Sequence, residues 1–574
     1  MTFIIKYGFG ITYLSKQVLH YQHHLKEAQI MSYRHYSYIL LFLLTFCFLQ
    51  NVWAQRGKQE PATDSLSRAW NQTIPGSFSS QSGAVFDSIQ INRFLTRFPD
   101  FKNYAGEINT FYKGRNYAYA WFDAGRLIEQ AGNLSNRVLN LQNEGIYKRA
   151  PYQKELDSLM FITRSLKNKP DIQVELMLTA QYFAFSNMAW QGMNSEVSQS
   201  AKWYVPRKKM DYEQYLDSLL KEPAKRLASA DPVYRQYELL KAYLRKYRSL
   251  AAQDNWTTIV MPSTGTKIGD TSAVIPVVKT RLYKLDDLHG DTLDHSYNVE
   301  LVTAVKQFQS RHGLVTDGLL NKETVAALNV PLKSRIKQIL VNMERSRWLP
   351  VSLNTDYLAV NIPEFKLHVY HADSLMWSCN VVVGQTVNPT TVFYGTLRYV
   401  VFSPYWAVPP SIVRKEIIPA LKRNRVFLSA NHMEITGYED GLPVVRQLPG
   451  PENSLGLVKF LFPNSYNIYL HDTPSKSLFG ESSRAFSHGC IRVQEPVKLA
   501  NFLLKGQRGW NAKKVDIAMH AGKEQYVTLK RKVPVFIAYF TAFIDRNNQL
   551  NFRDDIYHLD EQLTDMILSG TGSY

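Results

Sequence analysis

The hydrophobic periodicity of this chain changes from helical to alternating close to Trp348-Leu349-Pro350. Before that point apolar residues recur every three or four positions, as they do from Leu176 to Trp190. A period of 3.6 buries one stripe of a helix, whereas a period of 2 buries one face of a strand. The sequence therefore predicts a multidomain α+β protein with a helical first part and a mostly-β region at about 354–535.

The alternating region predicts a series of strands separated by short turns. These strands are Tyr357 to Asn361, Lys366 to Tyr370, Leu375 to Val383, Gly395 to Phe402, Leu457 to Phe462 and Tyr466 to His471. Charged helical residues and Gly/Pro turns at about 414–454 interrupt the series. An insertion of this length within a β domain is typical of a lid or substrate clamp, so we expect a helical cap.

The region before the strands divides into a helical domain, a small bundle and a connecting helix. Residues 86–272 carry no catalytic spacing and predict a helical scaffold, in which Tyr117 to Phe122 and on to Ile128 is one predicted helix. Residues 273–330 predict a three-helix bundle with a third helix from Asn321, and residues 331–353 an amphipathic connecting helix. A C-terminal segment, 536–574, completes the predicted organisation.

The N-terminus has the pattern of a secretory signal, assigned to residues 1–54 with the true start at Met31. Arg34 supplies the positive charge, Ile39 to Leu49 the apolar run, and residues 55–85 form a polar linker. We therefore expect a protein of the periplasm or cell envelope. An uncleaved N-terminal membrane anchor is the alternative.

The formal net charge of +18 favours an anionic partner surface. For an exported protein that surface is a cell wall or a membrane, and the alternative is a basic surface that only serves solubility. No basic run with interleaved aromatic residues predicts a nucleic-acid site. The fourteen histidines form no metal-binding motif, and no Gly-rich phosphate loop is present, so we expect neither a metal nor a cofactor.

Three cysteines are present, and only two remain once the predicted signal, with Cys47, is removed. Cys379 lies in a predicted buried strand, whereas Cys490 follows a His-Gly turn. We interpret Cys379 as a core residue and Cys490 as a free reactive thiol. A structural disulfide between the two is the alternative.

The segment Ser487 to Val493, with His471 upstream, carries the elements of thiol chemistry. A thiol acts as a nucleophile only when it is ionised, which requires a nearby base. His471 ends a predicted strand 19 residues before Cys490, a spacing that suits a loop returning to the neighbouring strand. His488 is the competing base. The backbone N–H groups at Gly489 and Cys490 are expected to face an oxyanion, as acyl transfer requires.

This motif resembles the signature of the L,D-transpeptidase (YkuD-type) family. The segments Val381 to Gly384, Tyr405 to Ile412 and Asn342 to Pro350 are similar to that family as well. Residues 304–329, with Phe308-Gln309, Gly313-Leu314 and Asp317-Gly318, resemble a peptidoglycan-binding domain. The order of scaffold, peptidoglycan-binding domain and catalytic domain is similar to the larger, YcbB-like periplasmic subgroup.

The resemblance implies a reaction and a role for each motif residue. Cys490 is the implied nucleophile and His471 the implied base, oriented by the carbonyl of Asp472. The thiol attacks a tetrapeptide stem at its third residue, D-Ala leaves, and the amine of a second stem resolves the thioester into a 3→3 cross-link. Peptidoglycan stems are thus the implied donor and acceptor, and carbapenems are implied inhibitors.

Other motif residues have two interpretations each. His488, where the YcbB-like subgroup often has Gly, either shares the base role or lines the oxyanion region or the substrate pocket. Ser487 either contacts substrate or hydrogen-bonds its own loop, and Arg492 either binds a stem carboxylate or braces the turn. Tyr469 is a candidate cleft residue. Tyr405 and Trp406 are candidates for a cleft wall or for the core.

Three other functions compete with cross-linking. A cysteine peptidase would form the same thioester and resolve it with water. A non-enzymatic wall-binding protein would need only residues 273–330. A third alternative is the attachment of an envelope protein to peptidoglycan. The sequence does not decide the oligomeric state.

Overall fold

The computed structural model describes residues 83–163, 169–207, 210–221, 231–253, 256–261, 266–350 and 354–572. The predicted signal peptide, the start at Met31 and nearly all of the predicted linker lie outside these ranges. Within them, no helix is both long enough and apolar enough to span a bilayer.

The first part of the described chain is helical, as predicted for the scaffold. Its central helix, Ile172–Phe185, is buried from Val174 to Phe185 and therefore has no solvent-exposed face over that stretch. Asp171 caps this helix by accepting hydrogen bonds from the N–H groups of Gln173 and Val174. The scaffold helices are Ile89–Arg97, Ala105–Gly114, Glu129–Leu139, Gln153–Thr163, Ile172–Phe185, Ser195–Ser200, Tyr212–Lys221 and Gln236–Gln253.

The prediction of a helix from Tyr117 to Ile128 is wrong. This segment instead contains a short hairpin of two strands, β1 (Phe122–Asp123) and β2 (Arg126–Leu127). Ala124 and Gly125 turn the chain with φ values of 47° and 78°, which no helix adopts. The buried carboxylate of Glu175 accepts hydrogen bonds from the N–H groups of Ala120 and Trp121, which replace helical bonds. Tertiary contacts therefore override the local periodicity.

The predicted three-helix bundle is present as Ile275–Lys284, Val299–Arg311 and Lys322–Asn329. Asn298 and Asn321 cap the second and third helices through their side-chain oxygens. The fully buried Gln309 amide donates to Asp317 Oδ1 at 2.7 Å and to Thr324 Oγ1 at 3.0 Å. Several residues of the peptidoglycan-binding pattern therefore hold the bundle together.

The connecting helix, Leu332–Arg347, is not amphipathic over its second half. Every residue from Ile339 to Arg347 is buried, including four that carry amide or charged groups. Asn342 donates to Thr541 Oγ1 at 2.7 Å, and Arg345 pairs with Asp560 at 2.6 Å. Arg347 Nε donates to the Ala189 carbonyl of the scaffold at 3.0 Å. The predicted connecting helix is therefore a central helix that ties the scaffold to the C-terminal segment.

The mostly-β region forms a closed barrel. Its eight strands are β4 (Asp356–Asn361), β5 (Lys366–His371), β6 (Ser374–Gly384), β7 (Val392–Phe402), β11 (Val458–Leu461), β12 (Leu470–His471), β14 (Ile491–Val493) and β15 (Gln525–Ala538). They follow the order β11-β12-β14-β6-β5-β4-β15-β7, and β11 also pairs with β7, which closes the ring. Closure leaves none of these eight strands as an open edge.

Period-2 alternation decides which side chains fill the barrel. Leu358, Val360 and Leu367 are fully buried inside, while their neighbours along each strand face outward. Cys379 pairs with Leu367 in register and belongs to the buried core, as predicted. The predicted domain boundary at 535 lies inside β15, whose residues 535–538 pair with β4.

Short strands and helices complete the region. β3 (Trp203–Tyr204), from the scaffold, pairs with β7, and β13 (Ala485–Ser487) pairs with β6. β16 (Ala542–Ile544) and β17 (Leu550–Phe552) form a C-terminal hairpin. The helices after the motif are Pro496–Leu504, Ala512–Met519 and Asp560–Ser569.

The insertion between β7 and β11 is a separate cap. It begins at β8 (Trp406–Ala407), earlier than the predicted 414, and adds a hairpin of β9 (Met433–Glu439) and β10 (Leu442–Gln447). Its helical part is Pro410–Ile412, Val413–Ile417, Ile418–Arg423 and Phe427–Ala430. Val408, Ile412, Val413, Ile417 and Val445 form its own small core.

Candidate active site

Two parallel strands bring the motif residues together. Leu470 pairs with Ile491, and His471 pairs with Arg492. Because Leu470 and Ile491 are fully buried inside the barrel, the residues on either side of them face outward. Tyr469, His471, Cys490 and Arg492 therefore share one outer face of the barrel wall. The predicted strand from Tyr466 is shorter than expected, since Asn467 has a φ of 56° and β12 begins at Leu470.

The turn before Cys490 is held by its own side chains. Gly489 has a φ of 114°, which other residues rarely adopt. The Ser487 hydroxyl donates to the Cys490 carbonyl at 2.6 Å and accepts from the Gly489 N–H at 3.1 Å. Thr390 Oγ1 donates to the Gly489 carbonyl at 2.8 Å. Ser487 thus hydrogen-bonds the loop backbone, which is one of its two predicted interpretations.

These bonds change the expectation for the oxyanion site. The Gly489 N–H is already bonded to Ser487, so it does not face a substrate as the sequence suggested. The Cys490 N–H has no acceptor among the described residues. Gly489 therefore acts as a turn residue, and Cys490 carries the free donor.

The Cys490 thiol is protonated in its resting state. Its Sγ donates to the Asn467 carbonyl at 3.5 Å. Burial raises the pKa of the thiol, although hydrogen bonds with Tyr469 and the charge of Arg492 act in the opposite direction. A thiol in this condition needs a base before it can attack a carbonyl. Cys379 and Cys490 are both free cysteines.

His471 has the protonation state of a general base. Its Nδ1 lies 2.5 Å from the Asp472 carbonyl, which can only accept, so Nδ1 carries the proton and Nε2 the lone pair. Burial, followed by the charge of Arg492, lowers the pKa of His471 to about 4 against the opposing effect of nearby carbonyls. The imidazole is therefore neutral at pH 7.

The Asp472 side chain supports the base without touching its ring nitrogens. Its Oδ2 accepts from the Leu457 N–H at 2.9 Å, and its Oδ1 pairs with Lys476. Gly456 packs against this carboxyl with a φ of 62°. The carboxylate anchors the turn at Gly456, while the carbonyl of the same residue orients His471.

Replacing Gly456 with Ala is expected to lower catalytic efficiency at least tenfold. A Cβ at this position would lie 2.4 Å from Asp472 Cγ, so Asp472 must shift and would carry the His471 ring with it. A displacement of about 1 Å of a catalytic group can cost a factor of roughly 100. The measurement is kcat/KM on the stem-peptide substrate that the family resemblance implies, together with the melting temperature.

Gly441→Ala is the matched control. Gly441 has a φ of 74°, close to that of Gly456, but nothing lies within 4 Å of its would-be Cβ. Both variants pay a similar backbone strain of about 1–3 kcal/mol, so only the contact with Asp472 differs. Equal losses of kcat/KM in the two variants would contradict the role assigned to Asp472.

His488 points to the cap. Its Nε2 lies 3.3 Å from Oε1 of Glu416, on the cap segment Val413–Ile417, and both side chains are about half exposed. This contact joins the turn before Cys490 to the insertion. The described hydrogen bonds include none between His488 and Cys490.

Of the remaining predicted residues, Tyr469 and Arg492 lie beside Cys490 and His471, whereas Tyr405 and Trp406 contact residues of the cap. Tyr469 hydrogen-bonds the Cys490 thiol, and its ring centroid lies 5.7 Å from that of His471. The charge of Arg492 acts on both Cys490 and His471, and its buried Nε has no hydrogen-bond partner in the described structure. Tyr405 lies under Arg446 at 4.4 Å, and Trp406 packs on the cap core.

Sequence reasoning missed three contributors: Asn467, Glu416 and Gly456. The Asn467 carbonyl accepts a hydrogen bond from the Cys490 thiol. Asn467 has a positive φ, which Asn adopts more readily than most residues. Glu416 and Gly456 reach the site only through the folded chain, and no local pattern marks them.

A carboxylate cluster in the scaffold is the one group in the described ranges with metal-ligating geometry. Oxygens of Glu144, Asp231 and Glu238 lie within 4.8 Å of one another. Lys241 Nζ lies 3.0 Å from Glu144, and Arg137 lies 2.5 Å from Asp231. These two cations balance two of the three carboxylates, and burial raises the pKa of the third, Glu238, to about 7. We therefore interpret the cluster as a buried ion-pair network. The absence of a metal or cofactor in the reaction stays a prediction.

Three family models match separate parts of the chain. The L,D-transpeptidase catalytic domain matches residues 355–517, and the scaffold domain matches 106–244. The model described as "Putative peptidoglycan binding domain" matches residues 272–328. These matches agree with the domain order that the sequence predicts.

A curated protein of Haemophilus influenzae, described as "Putative L,D-transpeptidase", is 31% identical over 271 residues. The match covers 44% of this chain and 54% of that protein, so the chain spans about half the length of the relative.

Solved L,D-transpeptidase structures from Xylanimonas cellulosilytica and Stackebrandtia nassauensis are also similar, at 15% and 16% identity. Each match covers 48% of this chain and 97% of the solved one, with TM-scores of 0.17 and 0.21. Because these TM-scores are low, the domain assignment depends on the sequence models.

Proposed function

We propose that this chain, which carries an L,D-transpeptidase catalytic domain behind a scaffold domain and a peptidoglycan-binding domain, forms 3→3 cross-links between peptidoglycan stems. The observation that carries the proposal is the outward-facing group of Tyr469, His471, Cys490 and Arg492. It combines a protonated thiol with a neutral imidazole whose free nitrogen is Nε2.

The first half-reaction breaks an amide and forms a thioester. His471 Nε2 takes the Cys490 proton as sulfur attacks the carbonyl carbon of the third stem residue. The Cys490 N–H, which has no acceptor in the described structure, supports the oxyanion. The C–N bond then breaks, and D-Ala leaves with the proton that His471 held.

The second half-reaction exchanges the thioester for a new amide. The side-chain amine of an acceptor stem attacks the thioester carbon and gives one proton to His471 Nε2. The thiolate leaves, and the imidazolium returns that proton to sulfur. One amide is broken and one is formed, so the exchange needs no external energy source.

The surroundings of the thiol support this assignment. Arg492 lies beside Cys490, and its half-buried guanidinium brings a positive charge that suits a stem carboxylate. Tyr469 positions the thiol through its hydrogen bond. The contact between His488 and Glu416 joins the turn before Cys490 to the cap, and we expect the stem to bind beside it.

The proposed location is the periplasm or cell envelope. Peptidoglycan stems are the proposed substrates, and the positive formal charge of +18 complements an anionic wall. Export rests on the predicted signal in residues 1–54.

The test is incubation of the purified chain with disaccharide tetrapeptides, followed by mass spectrometry of the products. Release of D-Ala together with a 3→3 dimer supports the proposal. Release of D-Ala with tripeptide monomers only would identify a peptidase that uses water. Release of no D-Ala at all would leave the binding functions in its place.

A further inference from the structure

A second concave site lies outside the barrel, away from β12 and β14. It is a cavity of about 440 Å³ on the outer face of β5, β4 and β15, which we call the back pocket. The scaffold segment 233–236 and the hairpin residues 543–546 form its other walls. Its lining is mainly apolar, as in small-molecule sites of this size.

The floor of the back pocket follows from strand register. Ala359 pairs with His368 on one side and with Phe536 on the other, so a methyl group lies between two larger side chains. Tyr357 and Tyr370 stack at 4.6 Å and form one wall. Because Ala359 is smaller than the rings on either side of it, the floor is concave at this point. The aromatic walls favour a ligand with an apolar or aromatic part.

Hydrogen bonds hold the walls of the back pocket together. Gln236 exchanges two bonds of 2.7 Å with the backbone of Ile544. Arg546 donates to the Asp373 carbonyl at 2.7 Å, and its guanidinium lies 5.6 Å from the Tyr370 ring. The cavity is therefore built by three parts of the chain and is already formed without a ligand.

The acids around the back pocket are all engaged. Glu364 pairs with His368 at 3.0 Å, and Asp373 Oδ1 accepts from the Tyr357 hydroxyl at 2.9 Å. Asp231 pairs with Arg137, and Asp545 caps its own turn through Asn547 and Gln549. None of these carboxylates is left to attract a cationic ligand.

The arginines differ from the acids. The Arg235 side chain is exposed and has no hydrogen bond or ion pair with the described residues. The Arg546 side chain donates to the Asp373 carbonyl and contacts the Tyr370 ring, but it pairs with no carboxylate of the described residues. The charges of both arginines act on Tyr234 and Tyr370, which places the two guanidinium groups at the same end of the cavity. The open end of the back pocket therefore carries two guanidinium groups that have no carboxylate partner among the described residues, next to an apolar interior.

We propose that the back pocket binds an amphipathic monoanion, with the apolar body over Ala359 and the anionic group between Arg235 and Arg546. The anionic group is a carboxylate or a sulfonate, since guanidinium binds either of these through paired N–H donors. This site is independent of the proposed cross-linking reaction at Cys490.

The test is a titration of the full chain with dodecanoate and with 1-anilinonaphthalene-8-sulfonate, which present the same charge on an alkyl and an aryl body. Either anion is expected to bind, and the comparison decides between an acyl and an aromatic ligand. Dodecanol, which lacks the charge, is expected to bind at least tenfold more weakly than dodecanoate. Equal affinity for dodecanol, or no binding of either anion, would overturn the proposal.

Variants locate the binding. Arg235→Ala is expected to weaken anion binding about tenfold, and Ala359→Trp to abolish it by filling the floor. Arg531→Ala is the matched control, since Arg531 is an exposed arginine that pairs with Asp356 outside the cavity. Loss of binding in the control, or unchanged binding in Arg235→Ala, would contradict the site. Arg235→Ala keeps the test valid even where Ala359→Trp fails to fold.

Discussion

Replacing Cys490 with Ala is expected to abolish the proposed cross-linking and the covalent labelling by a carbapenem that the family resemblance implies. The sulfur supplies the bond that holds the acyl group, and the other cysteine of the described residues, Cys379, is buried in the core and cannot replace it. Removing a catalytic nucleophile costs a factor of about 10⁶ in well-studied hydrolases, so activity should fall below detection. Intact-mass spectrometry before and after drug addition measures the adduct directly.

Cys379→Ala is the control for this experiment. Cys379 faces the barrel interior beside Leu367, and burial raises the pKa of its thiol to about 11. It should keep the adduct at full stoichiometry and lose only stability, through a small cavity. An adduct that persists in Cys490→Ala, or disappears in Cys379→Ala, would refute the assignment of the nucleophile.

His471→Gln is expected to slow acylation by roughly 10²–10⁴-fold, the usual contribution of a general base. The thiol is protonated at rest, so its proton has to be removed during attack. Single-turnover acylation is the appropriate measurement, because it excludes the acceptor amine. Asp472→Asn keeps the backbone carbonyl that orients the ring and should stay within a few-fold of the unmodified chain.

The pH dependence of acylation follows from the same residue. His471 acts as a base only when neutral, and its pKa is lowered to about 4. Activity should therefore persist as pH falls through 6.5 and decline only near pH 4, where the ring becomes protonated. Arg492→Gln removes a charge that lowers this pKa, so the acid limb should move to higher pH.

His488 provides the discriminating comparison for the base. His488→Ala is expected to change the acylation rate much less than His471→Gln, since its Nε2 faces Glu416 on the cap. A larger loss of acylation rate in His488→Ala than in His471→Gln would transfer the base role from His471 to His488.

Local pattern predicted the strand face of the site because alternation needs only neighbouring residues. Alternation from Tyr466 to His471 predicts that Tyr469 and His471 share one face, and the fully buried Leu470 between them agrees with this. The same reasoning failed at Tyr117 to Ile128, where the distant Glu175 captures two backbone N–H groups. A bond between residues 55 positions apart leaves no trace in a short window of sequence.

Closure of the barrel and the cap contact were out of reach for the same physical reason. Pairing of β11 with β7 joins residues on either side of the whole insertion. Glu416 meets His488 across a comparable separation in the chain. Such contacts depend on the three-dimensional path of the chain, whereas periodicity reports only which face of each element is apolar.

The pairing of Val458 with Phe402 means that the insertion leaves and re-enters the barrel at adjacent points. The insertion therefore does not distort the barrel, and it has its own small apolar core. Evolution can therefore lengthen, shorten or exchange this module while the catalytic wall stays in register, and substrate preference can diversify without rebuilding the chemistry.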